Sequence, residues 1–360
     1  MMTILFAGGG TGGHLYPAIA IAEEIQKIDP DARIVFVGTK EKIEARVVPQ
    51  KGFEFYTIWI SGFSRRLRLN NILFPVKVVA ALFQSFFVIK KVHPNVVIGT
   101  GGYVCGPILF AASVLGIPTV VHESNSFPGV TTRMLASRVS KVFITFEVTK
   151  KWLSSSAQVE LVGNPTRSEL SKVSRIEGSN YFTLDPDKKT VFAFGGSLGA
   201  ASINKAMPDL VKDAVARNYQ IIWQTGEADW QSANAVQQHP NIKVMKYVDR
   251  MDCGYAAADV VVSRSGATTL AELTRLGKPA ILVPYPFAAA NHQEMNAQTM
   301  VESGAAVMVK DSELRETLLS TVRELLFDEM KREVMGRKSL QLGKPDAGRE
   351  IAEKVLTLKR

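Results

Sequence analysis

The chain has 360 residues, of which 46% are hydrophobic and 21% charged, with a formal net charge of +9 and only two cysteines. That balance describes a packed globular protein with room for two domains and excludes a disordered chain. Cys105 and Cys253 have no metal-like spacing, which excludes a disulfide scaffold or a cysteine zinc site and fits a reducing compartment.

The N-terminus, MMTILFAGGG, carries no basic leader and only a short apolar run. It reads as a first β-strand rather than a secretory signal, so a cytoplasmic location is expected. From there, short β-branched runs alternate with helical stretches, the pattern of a parallel sheet with crossover helices. The first half predicts strands at TILFA (3–7), RIVFVG (33–38), FEFYTI (53–58), NVVIG (95–99), PTVVH (118–122) and KVFIT (141–145). Helices fill most of the gaps: AIAIAEEIQKI, then 41–51, 72–92, 106–116 and 129–138. Near VELVGNPTRSEL (159–170) the rhythm stops, and a polar stretch follows to Asp187. It restarts with TVFAFGG (190–196), YQIIWQ (219–224), NIKVMKY (241–247), ADVVVS (258–263), PAILVPY (279–285) and AAVMV (305–309). The expectation is two doubly wound α/β domains in tandem, 1–163 and 164–342, with a last helix in 343–360 that packs back on the first domain.

The segment from Phe55 to His122 contains no Asp or Glu, while Arg65, Arg66, Arg68, Lys77, Lys90 and Lys91 all fall in it. Within it lies NNILFPVKVVAALFQSFFVIKK, too interrupted by Pro75, Lys77 and Gln84 for a spanning helix of about 20 apolar residues. One reading is a core helix with a solvated basic end. The other is a peripheral membrane contact, with Ile72, Leu73 and Phe74 touching acyl chains and the arginines meeting anionic headgroups. Nucleic acid is not favoured, because basic and aromatic residues do not interleave there.

Four glycine-containing loops follow strands and precede helices: FAGGGTGGH, GTGGYVCGP, GGSLGA and SRSGATTLAE. Glycines let backbone N–H groups approach an anion, and the following helix points its partial positive charge at the same spot. In the first loop Gly8, Gly10 and Gly13 match GxGxxG. A dinucleotide site also needs an acidic residue ending the second strand; here that strand ends Gly38-Thr39-Lys40, and Glu41 and Glu44 come later. No Walker lysine follows the glycines either. The loop after ADVVV puts Gly266, Ala267, Thr268 and Thr269 at a helix start with Glu272 one turn in; that carboxylate either accepts the hydroxyls of a ribose or simply serves an exposed helix face. His14 stands at the helix start after the first loop, where the neutral, proton-accepting imidazole is favoured; a capping role is the alternative.

These motifs together resemble one family. GGGTGGH, GTGGYVCGP, HESN, VGNP, GGSLGA, SGATTLAE and NHQEMNA occur in the order seen in the MurG family of peptidoglycan N-acetylglucosaminyltransferases, and the likeness covers nearly the whole chain. It implies two Rossmann-like doubly wound domains facing across a cleft, the GT-B type. It further implies inverting transfer of N-acetylglucosamine from UDP-N-acetylglucosamine to the C4 hydroxyl of the muramoyl unit of lipid I, giving lipid II and UDP. The site would be the cytoplasmic face of the cell membrane, with anionic lipids and other cell-wall synthesis proteins as partners. By position, the resemblance places Thr11, Gly12 and Gly13 beside the donor sugar and acceptor diphosphate, and Asn125 on the N-acetylglucosamine. Ser197 reaches the donor phosphates with Arg167 close by, and Val248 offers backbone contacts to uracil. Ala267, Thr268, Thr269, Leu270, Ala271 and Glu272 surround the nucleotide, and Gln293 and Asn296 belong to the sugar pocket. His14 and Glu123 are implied for catalytic or acceptor-side roles. No cofactor and no tightly bound metal are expected, since no DxD-like carboxylate pair appears among the motifs. HESN has serine where the family often has glutamine, and AAANHQ replaces a more polar run; neither removes a group the chemistry requires.

Overall fold

The computed structural model describes residues 1–62, 74–196, 199–234 and 239–358. The chain divides into two compact units, Met1–Thr166 with Asp346–Arg360, and Arg167–Pro345.

The first unit is built on a seven-stranded sheet, all of whose pairings are parallel. Its strands are β1 (Thr3–Gly8), β2 (Arg33–Gly38), β3 (Glu54–Thr57), β4 (Val96–Gly101), β5 (Thr119–Glu123), β6 (Lys141–Ile144) and β7 (Val159–Leu161). They lie in the order β3-β2-β1-β4-β5-β6-β7. The central strands are buried on both faces, which is why they read as nearly continuous apolar runs without polar alternation. The strand order reverses between β1 and β4, so the two glycine loops that follow those strands open side by side at the carboxyl edge of the sheet.

The last helix, Ala347–Thr357, packs on the first helix, Gly12–Ile28. Ile351, Ala352 and Val355 complete the apolar layer formed by Ile4, Phe6, Ile21 and Ile25. Glu160 of β7 accepts hydrogen bonds from Lys141 and Lys354, which hold its carboxyl below the usual range and clip the helix to the sheet edge. Ile351 is fully buried, and truncating such a side chain removes contacts that the neighbours only partly recover. Ile351→Ala is therefore expected to lower unfolding free energy by about 2–5 kcal/mol, measurable by urea denaturation.

The second unit carries a six-stranded parallel sheet in the order β10-β9-β8-β11-β12-β13. Its strands are β8 (Thr190–Phe194), β9 (Gln220–Gln224), β10 (Ile242–Met245), β11 (Val260–Ser263), β12 (Ala280–Leu282) and β13 (Val307–Met308). The reversal here lies between β8 and β11, so those two strands open at one edge, β8 into Gly195 and Gly196 and β11 into Arg264 to Gly266. Each unit thus repeats one doubly wound plan.

Two elements differ from the sequence reading. VEL, where the strand rhythm was expected to stop, forms the edge strand β7 against β6. Its residues are only half-buried, so the apolar signal is weak. The polar stretch before Asp187 contains the helix Arg175–Tyr181, started by a capping box in which Ser174 accepts from the Glu177 N–H and Glu177 reaches back to Ser174.

Candidate active site

In the first unit the two glycine loops are locked together around His14. Its Nδ1 lies 3.1 Å from the Thr100 carbonyl, and the Thr100 hydroxyl donates to the His14 carbonyl at 2.8 Å. A carbonyl only accepts, so Nδ1 carries the proton and Nε2 is the nitrogen that can take one. Gly101 has φ +107°, and a Cβ there would stand 2.3 Å from His14 Nδ1. At Gly102, with φ +87°, it would stand 2.5 Å from the Gly9 carbonyl oxygen. The glycines of GTGGY therefore admit the imidazole and the first loop.

Thr11 is the N-cap of the first helix, and Gly12 and Gly13 form its first turn, whose N–H groups have no intrahelical partner. Gly10 differs: its N–H donates at 2.9 Å to the carboxylate of Glu44, which is fully buried and also accepts from the Thr39 N–H and hydroxyl. The acidic residue that comes too late after β2 to hold a ribose holds the glycine loop instead. The Gly10 N–H is therefore committed to the protein itself. Cys105 ties the same region by donating to the Ala7 carbonyl, and burial pushes its thiol up to about 12, which leaves it no nucleophile.

Glu123 ends β5, and its carboxylate is filled by four donors: the N–H and side-chain amide of Asn125, the Gly129 N–H and the Thr132 hydroxyl. It is buried, and its carboxylate holds Asn125 and the start of the helix Val130–Leu135 in place. His122 is buried as well, with desolvation lowering its pKa and Nε2 bonded to the Gly163 carbonyl. Ser124 donates to Asn164, so HESN and VGNP are cross-linked within this unit.

In the second unit, Ser197 lies outside the described residues. Gly196 and Gly199 flank it, both with left-handed φ. Gln224 joins this loop to the next one: its Nε2 donates to the Gly196 carbonyl at 3.0 Å, and its Oε1 accepts from the Val248 N–H at 2.9 Å. Val248 is fully buried, and its N–H is committed to Gln224.

The helix Ala267–Leu276 starts at Gly266. Thr268 Oγ1 is buried and has no hydrogen-bond partner among the described residues, leaving an incomplete polar site at the helix start. Thr269 and Ala271 are half-buried, while the side chains of Ala267 and Leu270 point into the core and leave only backbone for a ligand. Glu272 is buried, and burial raises its pKa; Arg167, 3.4 Å from Oε1, and the Tyr255 hydroxyl, 2.8 Å from Oε2, oppose the rise.

Gln293 accepts from the Tyr285 N–H through its side chain and from Ser265 through its carbonyl. Asn296 is wholly buried and donates to the Ser265 carbonyl. Through that bond it supports the SRSG loop. Ahead of them, Ala290 has φ +52° and Asn291 φ +56°, a strained pair in the AAANHQ run. Arg264 was not anticipated: it donates to the Val283 and Pro284 carbonyls, Ser202 and Asp311, and stacks on Tyr285. Tyr255, Gln224 and Glu44 were not anticipated either, since none sits in a glycine loop.

A family model described as the glycosyltransferase family 28 N-terminal domain matches residues 4–144, and the C-terminal domain model matches residues 190–351. The chain belongs to glycosyltransferase family 28. A family member from Flavobacterium psychrophilum is 40% identical over 98% of this chain and 97% of its own length. One from Bacillus cytotoxicus is 42% identical over 98% of each chain. Both are named UDP-N-acetylglucosamine–N-acetylmuramyl-(pentapeptide) pyrophosphoryl-undecaprenol N-acetylglucosamine transferase. Among solved structures, Acinetobacter baumannii MurG superposes with a TM-score of 0.79, at 25% identity and 99% coverage of both chains. In this family 28 chain the loops after β1, β4, β8 and β11 leave the carboxyl ends of their strands, the edge where open parallel sheets bind ligands.

Proposed function

We propose that the chain transfers N-acetylglucosamine from UDP-N-acetylglucosamine to the C4 hydroxyl of the muramoyl unit of an undecaprenyl-diphosphate-linked acceptor, lipid I, with inversion. The observation that carries this reading is His14, held in one tautomer by the Thr100 carbonyl in the first unit of a chain whose full-length relatives bear that transferase name.

The second unit binds the donor: Glu272 takes the ribose, Thr268 and the GGSLGA loop with Ser197 take the diphosphate, and Gln293 takes the sugar. Helix N-termini hold the charge that grows on departing UDP, as fixed dipoles do without reorganising. In the first unit, Gly12, Gly13 and Asn125 serve the acceptor side and the sugar, and His14 Nε2 removes the hydroxyl proton as the oxygen attacks the anomeric carbon from the face opposite UDP.

A polyprenyl acceptor stays in a bilayer, and the helix Phe74–Val92 supports contact with one. Its Val76, Val79, Phe83 and Phe87 share a face, with Phe83 73% and Phe87 69% exposed, beside Lys77 and Lys91. Among the described residues no helix is long and apolar enough to cross a membrane. Arg65, Arg66, Arg68, Ile72 and Leu73, expected in this contact, lie outside the described residues; Phe74 opens the helix. Phe83→Ser with Phe87→Ser is expected to weaken binding to anionic vesicles about tenfold per ring, read by co-sedimentation. Unchanged sedimentation removes this face from the membrane contact.

The test of the function is UDP release from UDP-N-acetylglucosamine with and without a short-chain lipid I analogue. Release only with acceptor, alongside a disaccharide product, is expected. Acceptor-independent conversion of the sugar indicates an epimerase, and binding without release indicates a sensor; either result overturns the reading.

A further inference from the structure

The described residues hold one polar side chain that is fully buried, bonds to the donor-site carboxylate and cannot reach a ligand itself. Tyr255, on the helix Met251–Ala257, is fully buried, and its ring packs edge-on against Phe192 and Phe194 of β8 at 5.6 and 5.9 Å. Its hydroxyl donates to Glu272 Oε2 at 2.8 Å. Burial, with the carboxylate beside it, pushes the phenol well above its ordinary pKa, so it remains a protonated donor. Arg167 sits on the other carboxylate oxygen from the solvent side, with its own side chain more than half exposed.

We infer that Tyr255 is a positioning residue for donor recognition: by binding Oε2 from the core side it fixes the rotamer of Glu272 and keeps Oε1 turned outward toward Arg167 and the ribose. This rests on the reading of Glu272 as the ribose-binding carboxylate. A buried carboxylate is costly unless its oxygens are hydrogen-bonded, and a phenol anchored between two rings supplies that bond in one direction only. The groups facing Glu272 are Arg167, from the segment that opens the second unit, and Tyr255, from the helix packed against it.

Tyr255→Phe keeps the ring and its packing while removing the one hydrogen bond, so folding is preserved and the effect is read on ligands. The measurement is titration calorimetry of UDP and 2′-deoxy-UDP, from pH 5 to 8, with the wild-type chain, Tyr255→Phe and Glu272→Gln. For Tyr255→Phe, UDP affinity is expected to fall about tenfold, the worth of one hydrogen bond to a charged group. Affinity for 2′-deoxy-UDP should change less, so the preference for the ribose narrows. The acid-side loss of UDP binding should also move to higher pH, because the lost hydrogen bond had favoured the ionised carboxylate. A Tyr255→Phe chain with wild-type preference and pH profile, beside a Glu272→Gln chain that has lost the preference, overturns the inference alone. A Glu272→Gln chain that keeps the full preference overturns the ribose reading beneath it.

Discussion

His14→Ala is expected to lower turnover about 10²–10⁴-fold, the usual worth of a positioned general base. UDP binding should be unchanged, because every group assigned to the nucleotide belongs to the second unit, Arg167–Pro345. The argument rests on one bond: the Thr100 carbonyl accepts from Nδ1, which sets the ring's tautomer and puts the basic lone pair on Nε2. Alanine removes the base and its bond to the Thr100 carbonyl but keeps the two loops joined, since the Thr100 hydroxyl donates to the backbone carbonyl of residue 14, which alanine retains. Single-turnover kinetics with saturating donor, beside calorimetry with UDP, separates the two effects. Full turnover in His14→Ala would remove the imidazole from the chemistry.

Gly101→Ala is expected to lower turnover about 10²-fold without touching the imidazole chemically, the scale of effect that a misplacement of about 1 Å produces. The new methyl would stand 2.3 Å from His14 Nδ1, so the ring must leave its place or the loop must open. The residue also has φ +107°, where a side chain costs about 1–3 kcal/mol, so the melting temperature should fall as well. Gly106→Ala is the control. A methyl there meets only Thr131 Cγ2, at 3.6 Å, an ordinary contact, and wild-type rates are expected. If Gly101→Ala turned over like the control, His14 would not depend on this loop for its position.

Much of the architecture was legible in the residues. Strands buried on both faces carry few polar side chains, so β1, β4, β8 and β11 stand out as nearly unbroken apolar runs. The loops after them declare themselves by glycine, because close backbone approach has few other solutions. What stayed hidden lacks such a local signature. β7 is a half-buried edge strand whose glutamate is held by lysines from β6 and from the last helix. The helix Arg175–Tyr181 announced itself only through its capping box, inside a stretch read as polar linker.

The site divides along the same line. Motif spacing determined which glycine loops follow strands, which histidine stands at a helix start and which carboxylate lies in the helix after β11. Only the tertiary structure decided what those groups are free to do. Glu123 reads as a catalytic or acceptor-side group and Asn296 as part of a sugar pocket, and the fold also gives each a structural load: four donors fill the Glu123 carboxylate, and the Asn296 amide donates to the Ser265 carbonyl. Glu44, Gln224 and Tyr255 read as ordinary residues, yet each reaches across 17 to 34 positions to hold a loop or a carboxylate. The reason is physical. A short motif reports backbone conformation, which neighbours in sequence set, whereas a buried polar group must be satisfied by whatever partner the fold brings within about 3 Å, and sequence distance does not enter that requirement.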